Sequence, residues 1–127
     1  PPFYRAELVM YVAQPTEEHF RLLQFLAHYP HEAGRYYVYG HTIPNAEPFF
    51  SDSQLSVALL LQSMVRWDAR LPEILQVEAQ PVELLWVQPI TAAEWSVKRE
   101  SGLDTLLGMF QQHQLPYVLD ERRASLA

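Results

Sequence analysis

A short cluster of side chains could hold a metal ion or act as acid and base. His28, His31 and Glu32 supply two imidazoles and a carboxylate, and a spacing of three places ligands on one face of a helix. Pro30 lies between the two histidines and is expected to break that helix, and the sequence has no HExxH pattern. We therefore interpret the cluster as a polar helix end, where histidine complements the helix dipole, and predict no metal site. A hydrolase that uses these three residues is our last-ranked hypothesis.

A second polar group lies in a loop bounded by Gly40 and Pro44. His41, Thr42 and Asn45 belong to it, and function concentrates on loops that a rigid scaffold holds. The plainer interpretation is that His41 and Thr42 hydrogen-bond the loop to itself. A serine nucleophile would need a strained turn such as GxSxG, and neither that motif nor GxGxxG nor a phosphate loop occurs. The chain has no cysteine, so thiolate chemistry is excluded, and we predict no catalytic residues and no cofactor.

Aromatic side chains crowd the segment between Tyr29 and Phe50. Large aromatic residues anchor many protein interfaces, but they also pack protein cores, and the sequence leaves both interpretations open. The candidate binding residues from this segment and its loop are Tyr36, Tyr37, Tyr39, His41, Thr42, Asn45, Phe49 and Phe50.

Composition limits the fold and the partners. The 127 residues are 49% apolar, which suits one globular domain with a single core. The formal net charge is −6 with only 9 Lys and Arg, so no basic stripe can neutralise phosphates, and we expect neither nucleic acid nor an anionic membrane surface as partner. The longest apolar stretch, residues 57–61, is far shorter than the roughly 20 residues that span a bilayer. The lack of cysteine is compatible with a reducing compartment, and we expect a cytoplasmic protein.

Four segments carry strand patterns, and residues 74–79 form a weaker fifth candidate that would close a hairpin at Gln80 and Pro81. Residues 7–12 alternate between apolar and mixed faces, and residues 36–39 have high strand propensity. Residues 54–62 and 82–87 are apolar on both faces, which is typical of central strands in a covered sheet. We expect Pro89 to end the last strand. In the 54–62 strand, the side chains expected to share one face are Leu55, Val57, Leu59 and Leu61.

Three segments predict helices. The first begins at Thr16 and runs to about His28, and the second begins at a capping box of Thr91 and Glu94 and runs to about residue 100. The third follows Gly102, and the tail at residues 120–127 is expected to be exposed. The apolar stripe of this third helix consists of Leu103, Leu106, Leu107 and Phe110.

These elements predict an α/β (α+β) fold, with a mixed central sheet flanked by helices in a single layered domain. Central strands that are apolar on both sides need a cover on each face, and the amphipathic helices supply it. The expected core residues are Leu8, Met10, Phe20, Leu23, Val57, Leu59, Leu84, Leu106 and Phe110.

Four stretches of the chain together resemble the Suppressor of fused-like family, in its bacterial single-domain branch. They are ELVMYVAQPTEEHFRLLQFLAHYPHE, the GHTIPN loop, ELLWVQPITAAEW, and GLDTLLGMFQQHQLP with the following VLDERRAS. The resemblance is most specific at the run WVQPIT and at the paired Arg122 and Arg123. It implies that residues 1–127 form one Suppressor of fused-like domain, and we expect the family's additional first segment to be missing before Pro1.

The resemblance also implies a function without established catalysis. The animal member of the family is a signalling regulator that holds transcription factors through a short peptide, using a second domain for which this chain has no counterpart. Bacterial relatives resemble immunity proteins of polymorphic toxin systems. We therefore expect a protein partner, and an inhibitor that neutralises a toxin by stoichiometric binding. The alternative is a regulatory module that binds an extended peptide of a signalling partner at a sheet edge.

Overall fold

A computed structural model describes residues 5–33, 37–63, 76–77 and 80–127. Within these ranges the chain forms a sheet with helices before and after its central strands. The elements in chain order are β1 (Arg5–Val9), α1 (Glu17–Ala33), β2 (Thr42–Pro44), β3 (Leu55–Gln62), β4 (Gln76–Val77), β5 (Gln80–Thr91), α2 (Ala92–Ser101) and α3 (Leu103–Gln112).

The sheet is mixed. Its strand order is β1-β5-β3-β2, and the short β4 pairs with the beginning of β5. The β1 strand runs parallel to β5, whereas β3 is antiparallel to both of its neighbours. The two long strands, β3 and β5, therefore occupy the centre, and β1 and β2 form the edges. The prediction of an α+β domain with a mixed central sheet is confirmed.

Each face of the central strands is covered by helix. On one face, Leu22 and Leu26 of α1 pack with Leu60 of β3 and Leu85 of β5. On the other face, α3 supplies Leu106 to the core. The other residues buried on this second face are Val57, Leu59, Leu61, Ile90 and Phe110. Two-sided cover explains why β3 and β5 read as continuous apolar runs.

A β-bulge changes the alternation at the start of β3. Leu55 pairs with Thr91 and Val57 pairs with Ile90, so Ser56 is an extra residue between two successive pairs. The extra residue turns Leu55 to the α1 face, while Val57 stays on the α3 face. The prediction that Leu55 and Val57 share a face was wrong for this reason.

Two prolines lie inside elements that they were expected to end. Pro30 lies within α1, which continues to Ala33. Tyr29, just before it, stacks on Tyr37 with ring centroids 6.4 Å apart, so the last turn of α1 has a packing partner.

Pro89 lies within β5, where its carbonyl accepts a hydrogen bond from Arg123 and so points away from β3. Its nitrogen points the same way, and the ladder to β3 therefore loses no hydrogen bond.

The described part of the aromatic segment before β2, from Tyr37 onward, forms a turn and not the predicted strand. The described residues from Tyr37 contain no ladder pairing until Thr42, and His41 N donates to the Val38 carbonyl at 3.1 Å. Gly40 has a φ of 88°, which favours glycine and reverses the chain. The strand instead forms at Thr42–Pro44, inside the predicted loop.

One expected core residue is exposed. Phe20 keeps 64% of its surface accessible, because the buried line of α1 runs through Leu22 and Leu26. Two positions correspond to about 200° around a helix, so Phe20 lies nearly opposite Leu22. Of the other expected core residues, Val57, Leu59, Leu106 and Phe110 are buried. The half-buried ones are Leu8, Met10, Leu23 and Leu84.

Leu59→Ala should lower the free energy of unfolding by about 2–5 kcal/mol, because it leaves a cavity in a central strand with no exposure. The matched control is Phe20→Ala, which removes a larger but mostly exposed side chain and should change it by about 0.5 kcal/mol or less. Urea unfolding of both variants measures the difference. A loss below about 1 kcal/mol for Leu59→Ala would contradict its central position.

Candidate functional site

The structure separates the predicted binding residues into two groups. Tyr37 and Phe50 are buried in the α1-side core, and Phe49 packs half-buried against it. Burial of Tyr37, helped by the neighbouring Tyr29, raises its pKa well above the ordinary range. Tyr36 lies outside the described residues. The exposed or half-buried members are Tyr39, His41, Thr42 and Asn45.

The turn that carries Tyr39 is fixed by backbone hydrogen bonds to β3. Gly40 N donates to the Leu60 carbonyl at 2.7 Å, and Leu60 N donates to the His41 carbonyl at 2.9 Å. Val38 and Tyr39, each 42% exposed, project from this fixed turn. A large apolar pair is therefore held at the surface by the central sheet.

The same turn lies against α3. A Cβ added to Gly40 would be 3.3 Å from the Leu103 side chain, which is a tight approach. The positive φ of Gly40 and this approach both favour glycine at the position. The turn is thus placed between the sheet edge and the beginning of α3.

Trp95 of α2 adds a half-buried aromatic ring beside β2. Its indole Nε1 donates to Thr42 Oγ1 at 3.1 Å, which fixes the ring beside β2. The guanidinium carbon of Arg99 lies 4.0 Å from the centre of the Trp95 ring, a cation–π geometry. We call this region the Tyr39–Trp95 surface. It comprises Val38, Tyr39, His41, Thr42, Trp95 and Arg99.

Asn45 belongs to the other end of β2. Its backbone N donates to the Ser56 carbonyl at 2.8 Å, and its side-chain amide donates to the Glu47 carbonyl at 2.8 Å. These bonds hold the turn that leaves β2. Asn45 is exposed, but its amide is engaged in shaping its own loop.

The first turn of α2 is built on a capping box. Thr91 Oγ1 accepts from Glu94 N at 3.1 Å, and a Glu94 carboxylate oxygen accepts from Thr91 N at 2.9 Å. The capping box was predicted from the spacing of these two residues, and it is confirmed. Trp95 follows Glu94 directly, so the capping box also fixes the backbone position from which the indole reaches Thr42.

The carboxylate of Glu94 is completely buried and paired with Arg123. Both of its oxygens accept from the guanidinium at 2.7 Å, and Leu126 N donates to it at 2.9 Å. The Arg123 side chain is itself only 8% exposed. Burial alone would raise the pKa of Glu94. Hydrogen bonds from Arg123, Leu126 and Thr91, with the charge of Arg123, outweigh burial and hold the pKa below its ordinary 4.5.

The C-terminal segment that supplies Arg123 is docked, which corrects the prediction of an exposed tail at residues 120–127. Leu119 N donates to the Tyr11 carbonyl at 2.8 Å, Glu121 pairs with the buried His19, and Ser125 Oγ lies 2.7 Å from Thr91 Oγ1. The sequence alone could not show this, because Arg123 and Glu94 are far apart along the chain. The resemblance did single out Arg123, but it gave no partner for it.

Most of the histidine cluster of α1 lies outside the side chains that the structure describes. His28 is exposed, and the side chains of His31 and Glu32 lie outside the described residues. Among described side chains, three or more potential metal ligands do not meet at one point. The described helices also include none that is long and apolar enough to cross a membrane.

A mixed sheet with helices on both faces defines this chain as an α+β domain. The candidate binding surface lies beside its edge strand β2. The family profile described as Suppressor of fused protein (SUFU) matches residues 2–124 of this chain. The chain therefore belongs to the Suppressor of fused family. No curated protein shows significant similarity to it.

Three solved structures are similar in fold. A protein described as a SUFU homolog from Neisseria gonorrhoeae FA 1090 has a TM-score of 0.76 at 21% identity, over 99% of this chain and 65% of that one. A chain of the Sufu–Fu complex has a TM-score of 0.66 at 16% identity, over 93% and 49%. Drosophila Suppressor of Fused has a TM-score of 0.67 at 17% identity, over 89% and 26%. The chain spans less than two thirds of the length of each.

The buried ion pair should make stability depend on acid. Because the folded pKa of Glu94 lies below 4.5, its contribution is complete above that pH and is lost as pH falls through the folded value. Glu94→Gln should cost about 3–5 kcal/mol at pH 7, because Arg123 loses its charged partner. Urea unfolding at several pH values should show this cost shrinking below pH 4.5. Glu100→Gln, an exposed change on the same helix, serves as the control and should follow the wild-type profile.

Proposed function

We propose that this chain is a protein-binding domain and that it acts as an immunity-type inhibitor, neutralising a toxin by stoichiometric binding. Membership of the Suppressor of fused family supports the binding role, and one similar structure is a complex of Sufu with Fu. The observation that carries the proposal for this chain is the Tyr39–Trp95 surface, where an exposed Tyr39 and a half-buried Trp95 lie on elements that hydrogen bonds hold in place.

The composition of the Tyr39–Trp95 surface suits a binding hot spot. Tyrosine, tryptophan and arginine dominate such spots. Here Arg99 stacks on Trp95, Trp95 bonds to Thr42, and Tyr39 lies in the turn just before Thr42. The turn and the indole are already held by hydrogen bonds, so little conformational freedom would be lost on binding. Preorganisation of this kind favours affinity from a limited contact area.

Charge favours a basic partner. The net charge of the chain is −6, and the exposed Glu100 directly follows Arg99 of this surface along the chain. A net negative charge attracts a basic surface and speeds association, more than it adds to affinity. A toxin that itself acts on nucleic acid would carry the basic surface that fits.

The proposal includes no catalytic residue, no cofactor and a cytoplasmic location. Support for the absence of catalytic residues comes from the sequence, which offers no nucleophile motif or phosphate loop, and from the engagement of Glu94 and Arg123 with each other.

The last-ranked alternative is a metal-dependent hydrolase at His28, His31 and Glu32. Metal analysis of the purified protein discriminates between the two, since bound zinc would favour the hydrolase.

A regulatory module that binds an extended peptide is the second candidate. One observation favours it, because β2 is an edge strand of the sheet, and edge strands accept additional strands. Only three residues form β2, and Pro44 has no N–H to donate, which limits the ladder that a peptide could extend. We rank this candidate second for that reason.

Truncation at the surface tests its role. A pull-down from the native host identifies the partner, and calorimetry then measures its affinity for each variant. Tyr39→Ala and Trp95→Ala should each weaken binding by roughly 30-fold, or about 2 kcal/mol, as hot-spot residues do. The control is Tyr117→Ala, which removes an exposed ring packed on Tyr11 elsewhere in the molecule. Equal effects of all three changes would argue against this surface.

Titration of the partner's activity tests the mode of action. Inhibition by a binder should saturate at a fixed ratio near one equivalent, because each molecule occupies one partner. The triple change His28→Ala, His31→Ala and Glu32→Ala should leave affinity within about tenfold, roughly 1.4 kcal/mol. Neutralisation far below one equivalent, lost in the triple variant, would overturn the binding proposal in favour of the hydrolase.

A further inference from the structure

The C-terminal segment joins the two helical layers of the domain. We call residues 119–127 the C-terminal latch. Leu119 is buried in the α1-side core, and Leu126 packs on the α3-side core. Between them, Glu121 pairs with His19 of α1 and Arg123 pairs with Glu94 of α2. The latch therefore passes from one face of the sheet to the other, although it contains no helix.

Its anchor in α2 is stronger than an ordinary surface contact. The Arg123 guanidinium makes two charge-assisted bonds of 2.7 Å to a carboxylate with no exposure to water. It also donates to the Ala124 and Pro89 carbonyls at 3.2 Å and 3.4 Å. Buried bidentate pairs fix orientation as well as distance, so the position of the latch fixes the position of Glu94.

Glu94 in turn fixes the beginning of α2. Its carboxylate accepts from Thr91 N, Arg123 and Leu126 N, and the latch supplies the last two of these partners. Ser125 adds a contact to Thr91, the residue that caps the helix. Most polar attachments of the first turn of α2 therefore come from the latch.

Trp95 is the next residue along the same turn. Its indole N–H donates to Thr42 Oγ1 on β2, and the Arg99 guanidinium lies over the face of the ring. A small rotation or fraying at Glu94 would move the indole relative to Thr42, because consecutive helical residues share one rigid turn. The path from the latch to the exposed surface is thus Arg123, Glu94 and Trp95.

We propose that the C-terminal latch controls the Tyr39–Trp95 surface, with Arg123 as a positioning residue that does not touch the partner. The docked latch holds the indole on Thr42, and undocking releases the first turn of α2 and the indole with it. Only the consequence for partner affinity rests on the proposed function. The link between latch and indole is a property of the domain alone and is measured without any partner.

Neighbouring arginines provide matched variants. Arg123→Met removes the buried anchor, whereas Arg122→Met removes an exposed side chain whose nearest carboxylate, on Asp52, is 4.0 Å away. Arg123→Lys keeps the charge but loses the bidentate geometry, so it should restore part of the effect. Because a lone buried carboxylate could prevent folding, Arg123→Met is also made together with Glu94→Gln, which leaves no unpaired charge.

The readout is the indole N–H signal of Trp95 in nitrogen-15 NMR. The chain has three tryptophans, and Trp95→Phe assigns the signal. Arg123→Met and the double variant should shift the Trp95 signal and speed amide exchange in the first turn of α2 by tenfold or more. Arg122→Met should leave both as in the wild type. A latch shown by protease cleavage to be undocked, with the Trp95 signal unchanged, would overturn the proposal.

The effect on binding is measured separately. Once the partner has been identified, Arg123→Met should weaken the affinity of the domain for that partner by about 5- to 150-fold, the usual range for coupling between distant sites. A shifted Trp95 signal with unchanged affinity would place the partner elsewhere and contradict the proposed surface, while the latch mechanism would stand. An unshifted signal would remove the latch mechanism and leave the proposed surface intact.

Discussion

A carboxylate without access to water is held in a protein only by groups that replace its hydration, and Glu94 is such a carboxylate. The groups that replace water come from two separated parts of the chain: Thr91 at the end of β5, and the C-terminal segment with Arg123 and the backbone of Leu126. Satisfying one side chain therefore places the last strand, the second helix and the C-terminal segment together. The cost of leaving this charge unpaired makes alternative arrangements of these parts unfavourable, so the pair contributes specificity as well as stability.

The central strands set the second constraint. Because β3 and β5 are apolar on both faces, they need a helical layer on each side, and the C-terminal segment connects the two layers across the sheet. The turn that carries Tyr39 comes directly before the edge strand β2, and backbone hydrogen bonds to β3 hold it there. A rigid scaffold that holds a polar and aromatic edge in place limits the entropy lost on association.

Similar folds at low identity are consistent with these constraints. A core tolerates many apolar substitutions when volume and pattern are kept, so a shared fold does not require shared side chains. Function is a different matter, because it depends on particular groups at the surface. The Tyr39–Trp95 surface is consequently the part of this domain whose chemistry has to be tested directly, and its residues come from the turn before β2, from β2 and from α2.

The sequence by itself determined the local elements and the fold class. Two-sided apolar strands, a capping box at Thr91 and Glu94, and the helical stripe after Gly102 each depend on residues a few positions apart, and all three were predicted correctly. Tertiary structure decided what depends on distant partners. The bulge before Val57, the strand that continues through Pro89, the burial of Tyr37 and the docking of Arg123 all follow from contacts between separated segments. Trp95 joined the candidate surface only because β2 lies beside α2, and no local pattern carries that information.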